Sequence, residues 1–110
     1  MRESTTAILA RNETWSGTVA TEPYEAGWAN ELVIFVRALH AGTAAGVKAR
    51  VQISPDGIRW ADEGTTVQVP ERQDEVHFTR LSHFGNWVRL VATLPDNAEV
   101  RVMVTLHAKA

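Results

Sequence analysis

The residues able to do chemistry are few and poorly arranged for it. Four histidines, His40, His77, His83 and His107, are the main candidate metal ligands, because the chain has no cysteine. Five residues lie between His77 and His83, which is not a recognised ligand spacing, and a zinc site needs three or four convergent donors. No metal or cofactor is expected, and the histidines read as surface or edge residues. No serine sits in a glycine-framed nucleophile elbow. Carboxylates that could pair across a glycosidic bond exist, among them Glu22, Glu25, Glu31, Asp62 and Glu63, but no spacing singles out a pair. A non-enzymatic chain is therefore expected, with a small hydrolase as the remote alternative. The Asn12-Glu13-Thr14 sequon, with no secretory signal in view, reads as coincidence.

The most distinctive local feature is Ser54-Pro55-Asp56-Gly57-Ile58-Arg59-Trp60. Pro55 fixes φ, Gly57 supplies positive φ, and Asp56 can accept main-chain hydrogen bonds inside the turn. Asp56, Arg59 and Trp60 make a candidate ligand loop with an aromatic platform. The plainer reading is a hairpin turn with a core tryptophan.

These residues need elements to hold them, and the dominant pattern is period-two alternation, the mark of half-buried strands. Val47, Ala49, Val51 and Ile53 alternate with Lys48, Arg50 and Gln52. Val100, Val102, Val104, Leu106 and Ala108 alternate with Arg101, Met103, Thr105, His107 and Lys109. Glu31 to Leu39 is apolar on both faces, so it reads as a central or partner-covered strand. Asn86 to Leu94 turns Val88, Leu90, Ala92 and Leu94 inward, and Trp87, Arg89 and Val91 outward. Shorter strands are expected at Thr5–Arg11, Thr14–Ala20, Thr65–Val69 and Val76–Leu81. Ala41 to Gly46 is a small-residue loop, Glu71 to Asp74 a charged one, and Pro95-Asp96-Asn97 predicts a hairpin joining the last two strands. No helix finds a place: Ala38 to Ala49 carries two glycines and β-branched flanks.

The expected fold is all-β: a two-sheet antiparallel β-sandwich, jelly-roll-like, of eight or nine short strands. A chain of 110 residues suits one domain, spanning 1–110, with residues 1–28 a candidate N-terminal arm. An apolar fraction of 45% is ordinary for a globular core. The net charge of −2 argues against non-specific nucleic-acid binding. No stretch has the length of a membrane span, and no signal peptide is visible, so cytoplasmic synthesis is expected.

Two segments carry a resemblance. Ser54-Pro55-Asp56-Gly57-Ile58-Arg59-Trp60 resembles the S-x-D-G-x-x-W hairpin of discoidin-like β-sandwich domains. Phe84-Gly85-Asn86-Trp87-Val88-Arg89-Leu90 is similar to their G-x-(aromatic)-V-R-L strand. The same pair resembles small sandwich domains of bacteriophage-type virion proteins, of the decoration or fibre kind, whose length this chain matches better. The cysteine pair of many discoidin members is missing, and no spike-like apolar loop is evident. The resemblance spans roughly residues 47–106 and implies a structural role in a particle.

The outward strand faces supply the candidate interface. Lys48, Arg50, Arg89 and Arg101 share it with Trp87, Val91 and Met103 if their strands adjoin, and Val33 and Phe35 add the second face of the central strand. Tryptophan, methionine and arginine together are interface-type residues. The alternative is that the arm segment Glu22–Trp28 covers this face. The expected partners are further copies of the chain, a trimer among the options, or a larger protein assembly. A glycan stacking on Trp60 or Trp87 is the alternative.

Overall fold

The computed structural model describes residues 3–43 and 46–110. Met1 and Arg2 of the expected arm, and Ala44 and Ala45 of the expected loop, lie outside the described residues.

Nine strands form: β1 (Ser4–Trp15), β2 (Thr18–Ala20), β3 (Tyr24–Glu25), β4 (Glu31–Ala38), β5 (Lys48–Ser54), β6 (Ala61–Gln68), β7 (Val76–Ser82), β8 (Trp87–Thr93) and β9 (Val100–Lys109). They make two antiparallel sheets. The first has the order β1-β9-β4-β7, and the second β2-β8-β5-β6 with β3 also on β8. The all-β sandwich expected from alternation is the observed architecture.

β2 and β3 are two pieces of one interrupted edge strand. Ala20 faces Val91 and Tyr24 faces Val88, so three residues on one side span two on the other. The interruption has a local cause. Pro23 has no N–H to give to a ladder. Thr21 bridges the gap: its N–H donates to the Leu90 carbonyl at 2.9 Å and its hydroxyl accepts the Leu90 N–H at 3.0 Å. With β2 and β3 counted together, the pairs β1/β9, β2–β3/β8, β4/β7 and β5/β6 nest inside one another along the chain. This is a long antiparallel ribbon rolled into a sandwich, the jelly-roll arrangement. The turn from Ser54 to Trp60 is its apex. Among the described residues, β5 and β6 are the one pair of consecutive strands that form a ladder with each other.

That nesting corrects the expected hairpin at Pro95–Asn97. β8 and β9 lie in different sheets, and the segment between them crosses from one to the other. Its tight turn is closed by the Ala98 N–H on the Pro95 carbonyl at 3.0 Å, with Asn97 at φ 66°.

The core lies between the sheets. Leu32, Ile34 and Val36 from β4, Val51 from β5, Val88 and Leu90 from β8, and Val102, Val104 and Leu106 from β9 are at most 1% exposed. β1 breaks its alternation because its register with β9 slips twice, between Ile8 and Ala10 and again before Glu13. Leu9 and Ala10 are both buried there. Trp15 is the core tryptophan, at 1% exposed.

Candidate functional site

The two outer sheet faces differ in character. On the β1-β9-β4-β7 sheet, Ile8 faces Thr105, Thr105 faces Phe35, and Phe35 faces Phe78, so one row crosses all four strands. A second row runs through His107, Val33 and Arg80, and a third through Met103, Arg37 and Val76. Phe78 is 50% exposed, Val76 47% and Ile8 38%. The ring of Phe35 packs edge-on to His107 at 5.1 Å and tilts against Phe78 at 5.8 Å. The Arg80 guanidinium sits 5.2 Å from the Phe78 ring centre. Arg37 is held by Asp74 at 3.0 Å, an exposed pair of little energetic weight. A shallow hollow of about 440 Å³ is floored by Val33 and walled by Glu31, Arg80, Ser82, His107 and Lys109. This face is apolar at its centre and mainly cationic at its rim.

The β2-β8-β5-β6 sheet presents polar groups that hold each other. Arg89 Nε donates to Gln52 Oε1 at 2.9 Å, and Gln52 Nε2 donates to Asp62 Oδ1 at 2.9 Å. Arg50 lies 3.5 Å from the same Asp62 oxygen. The Arg89 guanidinium stacks on Trp60 at 4.2 Å from the ring centre, a cation–π geometry.

The Ser54–Trp60 turn is built from its own side chains. Ser54 Oγ accepts the N–H of Gly57 at 2.8 Å and of Asp56 at 3.2 Å, and donates to Asp56 Oδ1 at 3.0 Å. Asp56 Oδ1 accepts the N–H groups of Ile58 and Arg59, each at 2.9 Å, and Oδ2 takes the Arg59 guanidinium at 3.1 Å. The Arg59 and Ile58 N–H bonds, with help from Ser54 and the Arg59 side chain, lower the Asp56 pKa from 3.8 to about 2. Gly57 adopts φ +79°, and a Cβ there would stand 3.4 Å from the Trp87 ring. Asp56 is thus committed to shaping the turn.

Trp60 is half-buried outside the core, under Arg89, rather than the core residue of the plainer reading. It borders an open cleft of about 490 Å³ with Ile53, Pro55, Ala61 and Phe84, and with Arg59 and His83 at its mouth.

The candidate interface separates into two. Val33, Phe35, Arg101 and Met103 lie on one outer face, while Lys48, Arg50, Trp87 and Arg89 lie on the other, because β8 and β9 belong to different sheets. Val91 is buried at 6%, with Ala20 and Arg50 opposite it on either side. Glu22–Trp28 covers neither face: Tyr24 and Glu25 extend the sheet edge beside β8. Four exposed-face residues escaped the sequence reading: Ile8, Val76, Phe78 and Arg80. The signal was present in β7, where Val76, Phe78 and Arg80 alternate with His77, Thr79 and Leu81. There the more apolar phase points outward.

Among the described residues no group of three or more histidines, aspartates or glutamates is placed to hold a metal ion. Asp62 and Glu63 do not converge: Asp62 binds Gln52, and Glu63 Oε1 accepts the Thr65 N–H at 2.9 Å. No helix among the described residues is long and apolar enough to cross a membrane.

The search of curated proteins returned no match. Among solved structures, the crystal structure of the SPBc2 prophage-derived protein YomS is similar over 100% of this chain and 96% of its own, with TM-score 0.64 and 8% identity. That likeness is one of fold. Residues 31–110, which begin at β4 and run through β9, match the family described as domain of unknown function DUF6385. The chain therefore belongs to the DUF6385 family.

Proposed function

We propose that the chain is a non-enzymatic structural or interaction module that assembles with copies of itself or docks on a larger assembly, such as a virion-type particle. The observation that carries this reading is the outer face of the β1-β9-β4-β7 sheet, where Ile8, Phe35, Val76 and Phe78 form an apolar tract that the described chain leaves open. Single exposed apolar residues are normal, whereas a cluster from three strands, linked across β9 by Thr105, marks a contact surface. The fold likeness to a prophage-derived protein fits a particle-associated role. The side chains of Asp56, Asp62 and Glu63 are engaged in turn and sheet contacts. The test has two arms: light scattering over a concentration series, and co-sedimentation with intact phage-type particles. Association in either arm that is lost in Phe35→Asp supports the reading. A chain that stays monomeric at millimolar concentration and leaves the particles bare contradicts it.

A second reading, glycan binding, is carried by the cleft beside Trp60. Arg89 occupies one face of Trp60 and the Gly57 backbone lies against Trp87, so a sugar would have to stack on the remaining face of Trp60. Quenching of tryptophan fluorescence by a glycan, lost in Trp60→Ala, supports this reading. A silent glycan panel removes it.

A further inference from the structure

We infer that two copies of this chain pair through β7, antiparallel and two-fold symmetric about Thr79, joining their four-stranded sheets into one continuous sheet. The inference rests on reading the chain as an interaction module, and it names the partner.

A free sheet edge invites another strand, and proteins that stay apart protect their edges with bulges, prolines and charges. Three of the four edges here are protected. β1 carries two register slips and the run Arg11-Asn12-Glu13. The β2–β3 edge is interrupted at Pro23. β6 has a register shift against β5, Gly64 at φ +111° and the acids Asp62 and Glu63. β7 has no register slip, no chain break and no acidic residue, and Arg80 is its one full charge. It holds one unbroken register with β4 from Val76 to Ser82, contains no proline or glycine, and carries exposed Val76 and Phe78. β6 passes near β7 without forming a ladder with it.

The direction of the free hydrogen-bonding groups follows from the β4 ladder. The Ala38 N–H donates to the Glu75 carbonyl at 3.1 Å. Hydrogen-bonded pairs alternate along an antiparallel ladder, so His77, Thr79 and Leu81 spend their main-chain groups on β4. Val76, Phe78, Arg80 and Ser82 turn theirs to the free edge, and their side chains share the outer face.

A register centred on Thr79 is the one that pairs the whole of Val76–Ser82 with itself. It sets Phe78 opposite the partner's Arg80, and Val76 opposite the partner's Ser82, in hydrogen-bonded pairs. The guanidinium of Arg80 already approaches the Phe78 ring within the chain, so each ring would receive a second cation from across the axis. A shift by two residues in one direction would oppose Arg80 to itself. The shift in the other would leave Ser82 facing the turn at Asp74. The row Ile8–Thr105–Phe35–Phe78 would then continue across the axis into the partner's row of Arg80, Val33 and His107.

The test is light scattering on the full chain over a concentration series, with far-UV circular dichroism to confirm folding. The wild type is expected at twice the 12.2 kDa chain mass. Phe78→Lys sets a lysine against the partner's Arg80, and is expected to weaken association at least tenfold with an unchanged spectrum. Adding Arg80→Glu restores a lysine–glutamate pair, and is expected to bring the dimer back. A wild type that is monomeric or trimeric overturns the inference. So does a Phe78→Lys variant that dimerises as before, or a double variant that stays monomeric. A monomer that still coats particles through Phe35 would remove this inference alone and leave the interaction-module reading standing.

Discussion

Replacing Leu106 with alanine is the sharpest test of how the sandwich is held. Leu106 lies midway along β9 at 0% exposed, opposite Ala7 of β1 on one side and Ile34 of β4 on the other. Its main chain is held in ladders on both sides, so the backbone has little freedom to close over a vacated volume. A buried Leu→Ala change of this kind costs about 3 kcal/mol, transfer and cavity together. At about 2.1 cal/mol/K per residue, the unfolding entropy of the 110-residue chain is about 0.23 kcal/mol/K. The midpoint should therefore fall by about 13 °C. Thr105, the next residue, points to the outer face, and Thr105→Ala should stay within about 0.5 kcal/mol, or about 2 °C. The assay is thermal unfolding followed by far-UV circular dichroism at one fixed low concentration, because self-association would raise both midpoints. Equal losses at the two positions, or a larger loss at Thr105, would refute the assignment of the core face.

Three further outcomes follow from the same geometry. Val102→Asp should not fold, since a charge at a 0% exposed position costs several kcal/mol, whereas Arg101→Ala on the outer face should unfold at the wild-type temperature. Gly57→Val should loosen the ribbon apex, because its φ of +79° is disfavoured for a β-branched residue and the Trp87 ring lies 3.4 Å from the new Cβ; faster amide exchange at Ile58 and Arg59 would report it. The Asp56 carboxylate is depressed to about 2, so its support for the turn is fully present above 3.8 and is lost as pH falls through about 2. The exchange of the same two amides, read against pH, should change with a midpoint near 2 in the wild type and show no such step in Asp56→Asn.

The fold was legible wherever alternation was undisturbed. β9 shows one apolar phase and the structure buries it; β5 follows its apolar phase as far as Val51, after which Ile53 is only partly buried and Ser54 is buried. β1 reads as two strands in the sequence because its register slips make Leu9 and Ala10 neighbours in the core. β6 is longer than its apolar signal, since Asp62, Glu63 and Gly64 belong to a bulged edge. Sheet membership was not legible. Periodicity tells which side of a strand meets the core, but in a sandwich the outer sides of both sheets carry the same kind of pattern. Arg89 and Arg101 therefore looked like neighbours, although they lie on opposite faces. The expected β8–β9 hairpin failed for the same reason: in a rolled ribbon most ladders join strands distant in sequence. The turn was readable because Ser54, Asp56 and Gly57 act on each other within four residues. The Arg89–Trp60 stack reaches across β5, from β8 to the residue before β6, and was not readable.

The pairing of β7 with itself is open to one direct measurement. The chain contains no cysteine, so Thr79→Cys introduces a single thiol. On the two-fold axis Thr79 meets its own copy as a non-hydrogen-bonded pair, with Cα atoms about 4.5 Å apart. That separation accepts a disulfide. Thr93→Cys, exposed on β8 in the other sheet, serves as the control. Dilute protein is oxidised mildly and run on a non-reducing gel. The predicted result is rapid conversion of Thr79→Cys to a covalent dimer while Thr93→Cys stays monomeric. A Thr79→Cys protein that stays monomeric, or two variants that cross-link at the same rate, would contradict it.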